Sequence, residues 1–328
     1  MPRRWIVPRR WRPSAVRDTG PTGTFVVARR LATGGHGPED VMFDASGTVV
    51  TGTADGRLLR LGPAGSHTVV ADTGGRPLGV QPCPDGSALV CDHDRGLLRV
   101  TTDGTVEVLV DTVDGAPLTF ASNVVQGPDG TIWFTTSTTR WDLEHHLGDM
   151  YEHTCTGRLI RRDPDGTVTT LLHDLKFANG LVLAPDGTHL LFAETAGYRI
   201  RRCWPDGRVE PFVENLPGFP DNMSLGSDGL LWVAIAAPRN PLLDRLLPLP
   251  GLLRLLAWNL PAALRPKATP IAWVMAFTLD GRLVHDLRTT DGSYGFVTSV
   301  AEHAGTVIAG SLTATDVAVL DIPPQSAG

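Results

Sequence analysis

Cysteine is scarce in this chain: Cys83, Cys91, Cys155 and Cys203 are the four in 328 residues, with no CxxC pair and no regular spacing. A disulfide framework or a thiolate zinc site needs clustered or evenly placed cysteines, so these read as buried thiols. Cys83 and Cys91 flank one turn and are the pair best placed to approach each other. No apolar run of signal-peptide character follows Arg12, which makes a cytoplasmic location the expectation. Nor is there a basic excess. The net charge is −6, which argues against nucleic acid as a partner, because a general nucleic-acid binder carries a basic face over its whole domain. Only the opening MPRRWIVPRRWR is basic; it reads as a solvated arm, with contact to an anionic surface as the alternative.

What the chain does have is a repeat. EDVMFDASGTVVTGTADGRLLRL from Glu39 is followed by LGVQPCPDGSALVCDHDRGLLRV from Leu78 and by SNVVQGPDGTIWFTTSTT from Ser122. The pattern returns in NGLVLAPDGTHLLFAETAGYRIRRCWPDGRV from Asn179, in DNMSLGSDGLLWV from Asp221 and in VTSVAEHAGTVIAGSLTATDVAVLDI from Val297. Each unit alternates short β-branched runs with DG, SG or AG turns, the pattern of antiparallel hairpins. Six such units predict an all-β chain folded as a six-bladed β-propeller, where radial repetition protects the sheet edges. A β-sandwich gives no reason for six copies. The expected organisation is a basic arm and closing strand over 1–35, one propeller over 36–324 with a short helical lid insertion at 240–266, and a tail at 325–328.

Aligning the units on their first turn glycine (Gly47, Gly86, Gly130, Gly187, Gly229, Gly305) and counting back eight places gives Glu39, Leu78, Ser122, Asn179, Asp221 and Val297. The next position gives Asp40, Gly79, Asn123, Gly180, Asn222 and Thr298. The first strand of each propeller blade lines the central channel, so residues at one register meet at one height. Strand interiors disfavour Asp and Asn. The oxygen-rich ring is therefore read as a site whose cost is offset by a bound cation, and clustered carboxylates need one or must take up protons. Oxygen donors without cysteine point to a hard ion; calcium, which tolerates irregular geometry, fits better than magnesium, with other divalent ions as alternatives.

At these residues the chain resembles a known family. GPED around Glu39, GRPLG, FANGLVLAPDG around Asn179, FAETAGYRIRR from Phe192 and ENLPGFPDNMS from Glu214 look like the strictosidine synthase-like proteins, within the wider group of gluconolactonase, paraoxonase and diisopropylfluorophosphatase. The resemblance covers nearly everything from residue 36 onward. It implies calcium in the tunnel and, in many members, hydrolysis of lactones, aryl esters or phosphotriesters. It also implies Glu39, Asn179 and Asp221 as metal ligands, with Asn222 as an additional one. Relatives usually carry Asn-Asp where this chain has Ser122-Asn123, so either Ser122 or Asn123 supplies the third-blade ligand. Asp40 and Asn123 are alternatively partners of a second, structural calcium.

The expected reaction is calcium-dependent hydrolysis of a lactone or aryl ester, a small-molecule substrate, with Asp221 or His93 activating the water. His93 looks like one member of a paraoxonase histidine pair whose other position is Leu78. Two other classes stay open. The first is amine-aldehyde condensation, disfavoured because Thr298 stands where the condensing enzymes carry a glutamate, and the second is a non-catalytic binding propeller. His145, His146 and His153 fall in an insertion, RWDLEHHLGDMYEHTCTG, expected to overhang the tunnel mouth and shape the substrate site. In the 240–266 insertion, leucines recur at helical spacing around Leu252, Leu255 and Leu256, but Pro248 and Pro250 interrupt a run already too short to span a bilayer. It reads as an apolar lid, favouring a hydrophobic substrate, or as an interfacial anchor. Peripheral membrane contact through lid or arm is the corresponding partner expectation.

Overall fold

A computed structural model describes residues 5–18, 20–62, 65–260 and 270–322. The chain forms a six-bladed β-propeller, each blade a four-stranded antiparallel sheet. Blade one runs Val41–Phe43, Val49–Gly52, Arg57–Leu61 and His67–Asp72; blade two Pro77–Pro82, Ala88–Asp92, Gly96–Val100 and Val106–Val110; blade three Ala121–Gln126, Ile132–Thr136, Gly157–Arg162 and Val168–Leu175. Blade four takes Ala178–Leu183, Leu190–Glu194, Arg199–Cys203 and Val209–Val213, and blade five Gly218–Leu225, Leu231–Pro238, Ala272–Phe277 and Leu283–Thr289. Blade six has three strands from the end of the chain, Val297–His303, Thr306–Ser311 and Asp316–Asp321. Its outermost strand, Val26–Ala32, comes from the beginning and pairs antiparallel with Asp316–Asp321. The ring is closed by hydrogen bonds between the two ends of the chain.

The turn glycines that aligned the units all have positive φ, from 68° at Gly187 to 86° at Gly130, a conformation that only glycine adopts at little cost. Hydrophobic side chains on the two faces of each blade meet those of its neighbours, so every blade junction has its own core. Val50 and Leu58 meet Val90 and Leu98 between blades one and two, and Trp232 and Val274 meet Val300 and Ala309 between blades five and six. All four cysteines are free thiols, three of them buried in these layers and Cys155 partly so.

Near the axis the inner strands approach so closely that two of the ring positions must be glycine. A Cβ on Gly180 would stand 2.4 Å from Asp221 O, 2.7 Å from Met223 N and 2.8 Å from Asn222 Cα, all backbone atoms that cannot swing away. Gly180→Ala is therefore expected to cost about 3 kcal/mol, an overpacking penalty. Gly187→Ala, whose Cβ would meet nothing, is expected to cost only about 1 kcal/mol for its left-handed backbone. The urea midpoints of the two variants check the difference.

Three segments outside the ring gather on one face. The arm, residues 5–18, does not float in solvent as its charge suggested. Ile6 is buried against Trp141 and Trp258, Arg9 N donates to Glu152 O at 2.8 Å, and Trp11 N donates to Leu247 O at 3.1 Å. Two inward anchors five residues apart, Ile6 and Trp11, make it a strap. The blade-three insertion forms helix α1 (Leu147–Glu152), and the blade-five insertion forms α2 (Pro241–Leu246) and α3 (Gly251–Asn259). The remainder of the expected lid, 261–266, and the tail lie outside the described residues. Asn240 caps α2 by accepting from Leu242 N and Leu243 N. These segments pack on the mouth of the ring: Met150, Leu243 and Leu247 join Leu78, Phe120 and Phe177 in one cluster, with Trp11 against it.

Candidate functional site

A strand sends successive side chains to opposite faces, so a plain strand would aim only one of the two oxygen-rich registers inward. The inner strands are not plain. Register shifts fall between Ala121 and Val124, between Ala178 and Leu181, and between Pro220 and Met223. Each β-bulge places both residues of the pair, Ser122-Asn123, Asn179-Gly180 or Asp221-Asn222, in the unpaired stretch, where a bulge re-aims side chains.

The result is two hydrogen-bonded strings of side chains drawn from four blades and joined through the adjacent residues Asp221 and Asn222. Ser122 Oγ donates to Asn179 Oδ1 at 2.9 Å, and Asn179 Nδ2 donates to Asp221 Oδ1 at 2.5 Å. Asn222 Nδ2 donates to Glu39 Oε1 at 3.2 Å, and Asn123 Nδ2 to Asn222 Oδ1 at 3.1 Å and to Asp40 Oδ2 at 3.4 Å. Glu39, Ser122, Asn123, Asn179, Asp221 and Asn222 are all buried and all belong to these strings. Asp40 is further held by Val41 N and Val80 N at 3.0 and 2.8 Å, and Asn123 Oδ1 accepts from Leu181 N, so these two also lace neighbouring strands together.

The electrostatics are unbalanced. Glu39 Oε2 is buried and has no hydrogen-bond partner. Burial, then the nearby charges of Asp221 and Asp40, raise the Glu39 carboxyl well above its ordinary range, with Arg76 opposing. Burial likewise pushes Asp221 up to about 8 and Asp40 up to about 7. Among the described residues no group of three or more His, Cys, Asp or Glu side chains is arranged to hold a metal. The axial set is instead mixed: carboxylates together with neutral amide and hydroxyl oxygens. That donor chemistry, which includes an orphaned carboxylate oxygen, fits a hard cation. Asn179 presents its Nδ2 to Asp221 here; turning the amide over exchanges Oδ1 and Nδ2 without changing its shape.

His93 is placed differently from the general base the sequence suggested. Its Nε2 accepts from Leu143 N at 2.9 Å, and its Nδ1 bonds Asp94 Oδ1 at 2.8 Å. Accepting at Nε2 requires the proton on Nδ1. With both nitrogens engaged, His93 anchors the blade-three insertion and has none left for a water. His145 and His146 are tied to Asp142 and Leu143 O. His153 stacks on Trp11 at 4.2 Å and is pushed down to about 3 by burial and the nearby Lys176, Arg254 and Arg199, so it stays neutral.

Two residues before the axial register stand Gly37, Arg76, Phe120, Phe177 and Phe219, a level the count-back from the turns did not reach. Phe120 and Phe177 have φ of 53° and 57°, a backbone state that costs a non-glycine residue about 1–3 kcal/mol and persists where packing fixes it. Arg76 is buried, donates from Nη2 to Gly37 O at 3.0 Å and leaves Nη1 without a partner. A Cβ at residue 37 would lie 2.8 Å from that Nη2. The GRPLG stretch carries this arginine, and its position relative to Leu78 was the signal available.

Fold and site together define a six-bladed propeller with a polar axial site beneath an apolar cap. Comparison with known proteins places it further. The strictosidine synthase family model matches residues 123–208, and the strictosidine synthase-like N-terminal model residues 27–61. Protein STRICTOSIDINE SYNTHASE-LIKE 6 of Arabidopsis thaliana is 33% identical over 299 residues, covering 88% of this chain and 79% of that protein. The adipocyte plasma membrane-associated protein of Salmo salar is 33% identical over 87% of this chain and 76% of its own length. The chain belongs to the strictosidine synthase-like family. In fold it is similar to a gluconolactonase from Xanthomonas campestris (TM-score 0.66, 19% identity, 98% of this chain and 99% of that one). It is also similar to regucalcin, a calcium-binding protein from Agrobacterium tumefaciens (TM-score 0.65, 18% identity, 93% and 97%). Among the described residues no helix is long and apolar enough to cross a membrane.

Proposed function

We propose that this chain is a calcium-dependent hydrolase of a hydrophobic lactone or aryl ester, with its metal held by Glu39, Asn179 and Asp221 and by an oxygen from Ser122 or Asn222. The observation that carries the reading is the buried, unpartnered Glu39 Oε2 facing a second buried carboxylate among neutral oxygen donors. A carboxylate so placed is costly unless a cation shares it. When bound, calcium supplies Lewis-acid polarisation of the substrate carbonyl and stabilises the negative charge that grows on its oxygen. Asp221 is the residue to take a proton from the attacking water at a carboxylate oxygen, since both ring nitrogens of His93 are engaged. Phe120, Phe177, Leu78 and Leu243 exclude bulk water and favour an apolar substrate.

Condensation of an amine with an aldehyde is less well supported. Thr298, at the sixth-blade position, donates its Oγ1 to Glu39 O at 2.7 Å and has no carboxyl to offer. Turnover of phenyl acetate and of alkyl-chain lactones, with calcium and with chelator, tests the proposal. The expected result is hydrolysis that disappears on chelation and returns with calcium, faster for alkyl-chain than for hydrophilic sugar lactones. Metal binding with no turnover of either substrate class would make the chain a binding propeller.

A further inference from the structure

Helix α3 is amphipathic the wrong way round for water. Its one arginine, Arg254, is completely buried, whereas Leu252 and Leu256 are 65% and 59% exposed and Leu253 is exposed beside them. Arginine is among the residues least often fully buried, and exposed leucines scattered singly mean little, but here they are grouped on one helix. The neighbouring segments continue the surface. Trp5 is 77% exposed and Val7 is exposed on the strap, as are Leu147 on α1 and Leu242 and Leu249 around α2. Among the described residues, most of the large hydrophobics that face solvent lie on the cap and few lie on the blades.

The segments are held together from beneath. Arg254 Nη2 donates to Arg9 O at 2.7 Å and its Nη1 to Tyr151 O at 2.9 Å, so one buried guanidinium joins the strap, α1 and α3. A Cβ on Gly251 would meet Pro8 at 3.0 Å, which shows how closely α3 and the strap lie. The same segments carry exposed cations, Arg9, Arg10 and Arg12 on the strap and Arg245 on α2, against the exposed acid Glu144 and the half-exposed Asp142, which pairs with His145. The chain as a whole carries −6, so this positive excess is local.

We propose that the outer face of the cap is a docking surface for a lipid membrane bearing anionic headgroups. Protruding leucines and a tryptophan enter the acyl boundary while the arginines meet the headgroups, the arrangement by which interfacial helices hold to bilayers. A second copy of this chain is a poorer occupant, because a two-fold contact through this face would set the arginines of one copy against those of the other. The inference stands apart from the chemistry of the axial site. It places the tunnel entrance against the phase in which apolar substrates dissolve.

Flotation of the full chain with phosphatidylcholine vesicles, with and without phosphatidylglycerol, tests it. The wild type is expected to float with the anionic vesicles and about tenfold less with the neutral ones. Leu252→Glu combined with Leu256→Glu is expected to abolish flotation on both. Arg10→Ser combined with Arg12→Ser should remove only the preference for the anionic lipid. All these side chains face solvent, and an unchanged thermal midpoint confirms folding. No flotation of the wild type, or equal flotation of the leucine variant, overturns the proposal. So does sedimentation as a dimer that the leucine substitutions dissolve, which would assign the face to a second copy.

Discussion

Glu39→Gln is expected to make the metal-free protein more stable and at the same time to abolish the stabilisation that calcium gives the wild type. The two effects have one cause. In the metal-free fold Glu39 is buried, its Oε2 lacks a partner, and Asp221 and Asp40 repel it. A neutral amide keeps the hydrogen bond from Asn222 and removes the repulsion, which should add about 1–3 kcal/mol. Calcium at a hundred times its dissociation constant should add about 2.7 kcal/mol to the wild type and nothing to the variant. The pH dependence has a definite sign. Glu39, Asp40 and Asp221 hold their protons to higher pH when folded, Asp221 to about 8, than in the unfolded chain, where carboxyls ionise near pH 4. Between those limits the folded state binds more protons, so the stability of the metal-free protein falls as pH rises. The variant should show a shallower fall. Because the ion displaces those protons, the calcium-induced shift grows over the same window. Thermal midpoints at about pH 5 and about pH 9, with calcium and with chelator, check all three signs. A variant that is less stable without metal, or that still responds to calcium, would remove Glu39 from the ligand set.

The axial set was legible because blades one, three, four and five keep one length from the axial register to the turn glycine. Eight residues back from that glycine reaches the same height in each, which brought together Glu39, Ser122, Asn179 and Asp221 from positions up to 182 apart in sequence. Blade six turns in two residues between His303 and Thr306, and there the count overshoots by one place: Ser299 holds Val41 N as Asp40 holds Val80 N, which puts Thr298 rather than Val297 at the axial register. That Asn123 and Asn222, one place further on, join the same set depends on the bulges, and a bulge leaves no mark in an alternating pattern. Physical reasons also explain what was not legible. His93 stands beside Asp94 in a tight turn and looked available, but its ring is held by the amide of Leu143, fifty residues away. The strap's arginines hid its anchors, since Arg9 and Arg10 are exposed while Ile6 and Trp11, five residues apart and matching no strand or helix period, pack inward. Nothing local in Arg254 says that it will be buried. Its partners, the carbonyls of Arg9 and Tyr151, are backbone atoms that any residue could supply.

Glu152→Gln is expected to release the strap. The carboxylate is fully buried at the end of α1, and every group hydrogen-bonded to it donates. Oε1 accepts from Val7 N and Arg140 Nη2, both at 2.7 Å, and Oε2 from Arg140 Nε and Trp141 Nε1, both at 2.9 Å, and from Thr154 Oγ1 at 3.3 Å. Whichever way a glutamine turned, its NH2 would face donors, leaving buried N–H groups unpaired and Arg140 without its counter-charge. Arg140 is 41% exposed, so water screens part of its lost counter-charge, and the unpaired Val7 and Trp141 N–H groups carry most of the cost, about 2–4 kcal/mol in all. The loss falls on the cap, because the strap's anchor at Val7 N goes with it while the blade junctions keep their cores. Trypsin reports this directly: the bonds after Arg9 and Arg10 should be cut in the variant while they survive in the wild type, before the propeller itself is degraded. Arg140→Met separates the causes, since it leaves Glu152 bonded to Val7 and Trp141 but unpaired in charge. It should lower the thermal midpoint and keep the strap largely protected. If Glu152→Gln is cleaved no faster than the wild type, the strap is held without the Val7 bond, by its backbone bonds to Glu152 O and Leu247 O and its apolar contacts with Trp141 and Trp258.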